Sequence, residues 1–183
     1  MKLCYSQNNK QTGFSLVEVL ISLIILAIGL LGLSALQLTA LQRNTAAYNR
    51  SIATTLAYEI ADRMRANKTV ANAGAYLTGI GDGPSNATSC INNPCGAAGI
   101  AAADLDEWKC SLGEYNDDAI CTGLGLQGAL PRGDGEITQN GAVFTINVMW
   151  DDERNGVVVD AANCGSDPET NVTCFSLDFQ PPT

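Results

Sequence analysis

At 183 residues the chain has length for one domain with appendages rather than two full domains. Its formal charge of −9 and pI near 4.3 argue against nucleic acid as a partner, because phosphate binding needs clustered cations and only Lys68, Lys109, Arg132 and Arg154 follow Arg65. The absence of histidine, of any C-x-x-C spacing and of a nucleophile motif argues against a zinc site and against an enzyme, so no catalytic residue, metal or cofactor is expected.

Residues 1–13 are short and polar, with Lys2 and Lys10 and no acid. From Phe14 the chain turns apolar, and the 24 residues between Glu18 and Arg43 carry no charge. As a helix they span roughly 36 Å, enough to cross a hydrocarbon core of about 30 Å. Glu18 sits in this run. A charge at mid-membrane costs about 2.5–3.5 kcal/mol, and less nearer the interface, so such a residue needs a partner or a function. A secretory signal peptide is cleaved after its apolar region, whereas here the small residue, Gly13, precedes it. The two lysines are expected to keep the N-terminus on the cytoplasmic side, with the acidic remainder on the opposite side of the membrane.

Between Gln37 and Ala66 there is neither proline nor glycine, so the helix is expected to continue to about Asn67. Tyr48, Ile52, Leu56, Ile60 and Met64, with Ala53, Ala57 and Ala61 beside them, form its apolar stripe, and polar residues including Asn49 occupy much of the rest. Asn72 to Gly99 reads as a long irregular connection. Ile100 to Glu114 is predicted as a short helix, with Asp104, Asp106 and Glu107 near its start and Leu105, Trp108 and Leu112 on one face. Asn116 to Gly135 is turn-rich, and its Arg132-Gly133-Asp134 triplet is read as part of a turn rather than as an adhesion motif. From Glu136 the pattern alternates in twos, and a strand at Ala142 to Trp150 turns Phe144, Ile146, Val148 and Trp150 to the core. Asp151, Asp152 and Glu153 are read as a solvated turn and Asn155-Gly156 as a hairpin signal, with Val157 to Asp160 returning and Val172 to Phe179 as a third strand. Helix first and strands later gives an α+β class, the helix packed on an antiparallel sheet of three to four strands.

Gly13-Phe14-Ser15-Leu16-Val17-Glu18 resembles the processing motif of type IV pilins and pseudopilins. The resemblance implies the pilin fold, cleavage by prepilin peptidase between Gly13 and Phe14, N-methylation of Phe14, and Glu18 as the fifth mature residue. In a fibre of stacked apolar helices the Glu18 carboxylate would meet the Phe14 amine of a neighbour, since each buried charge needs a counter-charge. The domain organisation is then a leader at 1–13, a transmembrane and assembly helix at 14–41, and a periplasmic globular domain at 42–183. Gly29 to Gln37, the Leu130-Pro-Arg-Gly-Asp-Gly turn and Val148 to Asp152 look like the PilV group of minor pilins. That implies a low-abundance subunit joining other minor pilins and the major pilin, in a priming complex or at the pilus tip. A type II secretion pseudopilin and a fibre-displayed adhesin are the alternatives.

Loss of the leader would remove Lys2, Lys10 and Cys4, taking the formal charge from −9 to −11. It leaves Cys90, Cys95, Cys110, Cys121, Cys164 and Cys174, an even set that reads as disulfides in an oxidising compartment. Six cysteines allow 15 pairings, and short loops favour the sequential set.

Overall fold

The structure, a computed structural model, describes residues 13–85, 90, 94–152 and 172–181. It divides into two compact units, Met1–Asn44 and Thr45–Thr183. One helix, α1 (Leu16–Ala66), contributes residues to both.

In the first unit, every described residue of α1 is exposed, its long run of Leu, Ile and Val included. The hydroxyls of Ser22, Ser34 and Thr39 bond back to carbonyls four residues earlier, so the helix satisfies its own polar groups.

In the second unit the rest of α1 is followed by α2 (Lys68–Asn72), α3 (Ala97–Leu112) and α4 (Ala119–Leu124), then β1 (Asp134–Asn140), β2 (Val143–Asp151) and β3 (Val172–Phe179). The strands form one antiparallel sheet in the order β1-β2-β3. Helix packs on sheet through Ala53, Ala57, Ile60, Ala61 and Met64, which share a core with Ile137, Phe144, Ile146, Val148, Trp150 and Phe179. Three alanines in that stripe let the helix backbone come close, while the large residues on both sides contribute about 1.5–3 kcal/mol each by burial. This is the expected α+β arrangement, with three strands among the described residues.

The stripe is rotated from its predicted position. Tyr48 is 64% exposed and Asn49, expected among the polar positions, is 3% exposed. Asn49 can be buried because its Nδ2 donates to Asp152 Oδ1 at 2.7 Å. That oxygen also accepts from Trp150 Nε1 at 3.1 Å, so Asp152 fastens the end of β2 to α1. Asp151, expected in a solvated turn, is instead 1% exposed at the end of β2; Asp152 follows in a turn, half-buried and held by Asn49 and Trp150, and Glu153 lies outside the described residues.

The predicted face of α3 is present: Trp108 and Leu112 are buried, Leu105 packs against them, and Trp108 Nε1 donates to Leu56 O at 3.1 Å. The helix starts at Ala97, so its acids lie beyond the first turn and do not act on the helix dipole. They bond across the fold instead. Arg63 of α1 reaches Asp104 at 3.0 Å and Glu107 at 2.6 Å, and Asp106 accepts from the Ser85 amide at 2.6 Å.

The turn-rich stretch before the sheet also holds α4, which begins where Asp118 accepts from Ile120 N and ends at Gly125 with φ 69°. β1 and β2 form a hairpin whose turn contains Gly141 at φ 62°. The Asn155-Gly156 turn and its return strand lie outside the described residues. On β2, Phe144, Ile146, Val148 and Trp150 face the core as expected, while Met149, on the opposite side, is buried against Val172 and Ile80. Gly135 of β1 is held to glycine by Trp108, because a Cβ there would lie 2.5 Å from the indole.

Candidate functional site

At the start of α1, Gly13, Phe14 and Ser15 precede the first helical residue, Leu16. The Ser15 carbonyl accepts from Glu18 N at 3.0 Å and Val19 N at 3.2 Å, which places Ser15 at the cap and Glu18 third in the helix. First-turn amides lack intrahelical partners, and a carboxylate there is favoured by the helix dipole. The Ser-x-x-Glu spacing is that of a capping box, set within the Gly13 to Glu18 stretch.

Phe14 is 84% exposed. Phe14, Glu18, Val19, Ser22, Leu23 and Leu26 line one open recess along this end of the helix. The Glu18 side chain has no hydrogen-bond or ion-pair partner among the described residues. A Cβ on Gly13 would meet nothing within 4 Å, so the chain's own packing does not demand glycine there. This end of α1 therefore offers an unpaired acid on an apolar helix, next to a glycine that no internal contact explains.

The cysteines lie elsewhere. Cys90 pairs with Cys95 and Cys110 with Cys121, at Cα separations of 5.4 and 5.2 Å. The second bridge ties α4 to α3. Cys174 of β3 is also disulfide-bonded, and Cys164 lies outside the described residues.

Sequence reasoning passed over Lys109 as one scattered cation. In the fold it is 2% exposed on α3, and its Nζ donates to Gly79 O at 2.7 Å, Asp134 Oδ1 at 2.8 Å and Gly135 O at 2.7 Å. Burial pushes its pKa down and Asp134 pulls it up, with a net lowering. The other Asp134 oxygen accepts from Gly81 N at 2.8 Å and from the Tyr115 hydroxyl at 3.4 Å. Burial first, then Asp134, raises the Tyr115 pKa. Three aspartates hold the segment after α2 by its amides: Asp82 takes Gly79 N, Asp134 takes Gly81 N and Asp106 takes Ser85 N. No short sequence signal marks this clamp, since its members are up to 53 residues apart. It also removes Arg132-Gly133-Asp134 from adhesion, because Asp134 is 2% exposed and committed to Lys109.

Among the described residues no cluster of metal-ligating side chains occurs. α1 near the N-terminus has the length and apolarity to cross a membrane, with none of its apolar window covered by the chain itself, which suits a membrane anchor. No curated protein and no solved structure matches the chain significantly. Residues 8–34 match the family model described as the prokaryotic N-terminal methylation motif, and residues 35–106 match that described as type IV pilin Tt1218. These adjoining matches cover the motif, the apolar helix and the helix-to-α3 portion of the second unit, and with the helix-on-sheet fold they make the chain a member of the type IV pilins.

Proposed function

We propose that this pilin is a minor subunit of the PilV group, matured by prepilin peptidase and built with other minor pilins and the major pilin into a priming complex or pilus tip. Cleavage falls between Gly13 and Phe14, the new Phe14 amine is methylated, and Glu18 pairs with the Phe14 amine of a neighbouring subunit. Before assembly the apolar half of α1 anchors the subunit in the inner membrane, with residues 1–13 in the cytoplasm and the disulfide-bearing unit in the periplasm.

The observation that carries this reading is the Glu18 carboxylate, which has no partner among the described residues on a helix otherwise uncharged as far as Arg43. A carboxylate moved into an apolar fibre core without a counter-charge would be strongly destabilising, and a free N-terminus four residues before it is the nearest charge that cleavage creates. The lack of any packing reason for Gly13 points the same way, to a residue selected by an enzyme outside the chain. Mass spectrometry of the N-terminal peptide from cells with working processing machinery tests it. The expected first residue is N-methylated Phe14; a chain that keeps residues 1–13 there overturns the reading.

A further inference from the structure

Among the described residues of the second unit, four of six cations meet a carboxylate, while the exposed Arg50 and Lys68 do not. Arg63 bonds Glu59, Asp104 and Glu107, Arg65 bonds Asp62, Lys109 bonds Asp134, and Arg132 bonds Glu114. In the first unit Arg43 is exposed, with no hydrogen-bond or ion-pair partner among the described residues. It is the first charge after Glu18, and the uncharged run of 24 residues between them is long enough to place both ends at the two faces of a bilayer. Glu18 then lies near one face and Arg43 among the headgroups of the other.

We infer that Arg43 binds phospholipid phosphate at the membrane face from which the globular unit emerges, and so fixes how deeply the apolar helix sits until the subunit leaves the bilayer. A guanidinium presents a planar fork of donors that matches two phosphate oxygens, and its long apolar stem lets the charge reach the headgroups from a helix end. The chain as a whole is acidic, so a cation at this position adds no attraction to the bulk and acts locally. It also sits on the side opposite Lys2 and Lys10, to which the topology bias does not direct cations. The inference rests on the membrane-anchored reading and goes beyond it by naming a residue and a ligand.

The test uses the full chain labelled with ¹³C at the arginine guanidinium carbons and reconstituted in vesicles of phosphatidylethanolamine and phosphatidylglycerol. Solid-state NMR then reads ¹³C–³¹P dipolar dephasing, and flotation of the same sample reports whether the helix has entered the bilayer. The expected result is dephasing in the wild-type chain that is lost in Arg43→Lys, whose side chain carries no labelled carbon, and retained in Arg50→Lys. Protein that floats but shows no dephasing, or dephasing unchanged in Arg43→Lys, overturns the inference and leaves the anchor intact; the first of these outcomes would assign Arg43 to water or to a neighbour's carboxylate. Protein that fails to float overturns the anchored reading itself.

Discussion

Two halves of one helix are treated in opposite ways by the chain they belong to. In the first unit, residues such as Ile24, Leu31 and Leu41 are at least half exposed, and a lone acid has no partner among the described residues. In the second unit, Ala53, Ala57, Ile60, Ala61 and Met64 are fully buried, and among the described residues no buried side-chain nitrogen or oxygen lacks a partner. The difference lies in who supplies the partners. The second unit is completed by its own sheet and α3; the first is completed by lipid, and then by other subunits. An apolar helix that nothing in its own fold covers is a surface waiting for a neighbour.

The largest effect should come from the end with no internal partner. Glu18→Ala is expected to leave cleavage and the unfolding of the second unit unchanged, and to weaken incorporation beside other pilins by about 3–5 kcal/mol, since it strands a buried ammonium. Subunit recovered in sheared fibres measures it; normal incorporation breaks the comparison. Inside the second unit, Lys109→Met should cost about 3–5 kcal/mol of unfolding free energy in detergent-solubilised protein, because the Asp134 charge stays buried alone. The double substitution Lys109→Met with Asp134→Leu should recover part of that loss, and a double variant no more stable than the single would show that the pair is not what holds the segment.

A smaller contrast uses one substitution on both halves of α1. Ile60→Ala removes a fully buried side chain and should cost about 2–4 kcal/mol, whereas Ile24→Ala should leave the unfolding transition where it was. Equal effects would mean that the two units are not energetically distinct. Smallest is a pH dependence. The Tyr76 hydroxyl donates to Asp104 Oδ2 at 2.6 Å, and burial followed by that carboxylate raises its pKa. The folded chain thus keeps a proton that an unfolded tyrosine releases near pH 10, so this stability is present below about pH 10 and falls as pH rises beyond it, by at most about 1.4 kcal/mol per unit. Tyr115 adds in the same direction. The lowered Lys109 pKa acts oppositely, with stability rising as pH climbs toward lysine's unfolded value near 10.4, so the fall should emerge only above that. A thermal midpoint that declines less steeply above pH 10.5 in Tyr76→Phe is the expected outcome.

What the residues disclosed in advance follows the range of the forces involved. The apolar segment, the unbroken course of α1 and the core face of β2 are written in local sequence, and they stand where it placed them, although the buried stripe of α1 is rotated from Tyr48 to Asn49. α4 hid in a run of glycines, although Asp118 before Ala-Ile-Cys and Gly125 after Leu124 were cap signals of the expected kind. The β1–β2 turn also had its Asn140-Gly141 pair in plain view, while the similar pair at 155–156 drew the hairpin prediction. Asn49 on the helix, the acids of α3 and the Lys109 clamp were misread or missed for another reason. Their roles depend on partners tens of residues away, such as Asp152 for Asn49 and Asp134 for Lys109, and no window along the chain contains both members.

The pairing of Glu18 across subunits is most directly reached by zero-length carbodiimide coupling in assembled fibres, followed by peptide mass spectrometry. The account predicts an amide between the Glu18 carboxyl of one subunit and the N-terminal Phe14 amine of its neighbour, absent from Glu18→Gln fibres. Coupling of that amine to some other carboxylate, with Glu18 unmodified, would contradict it.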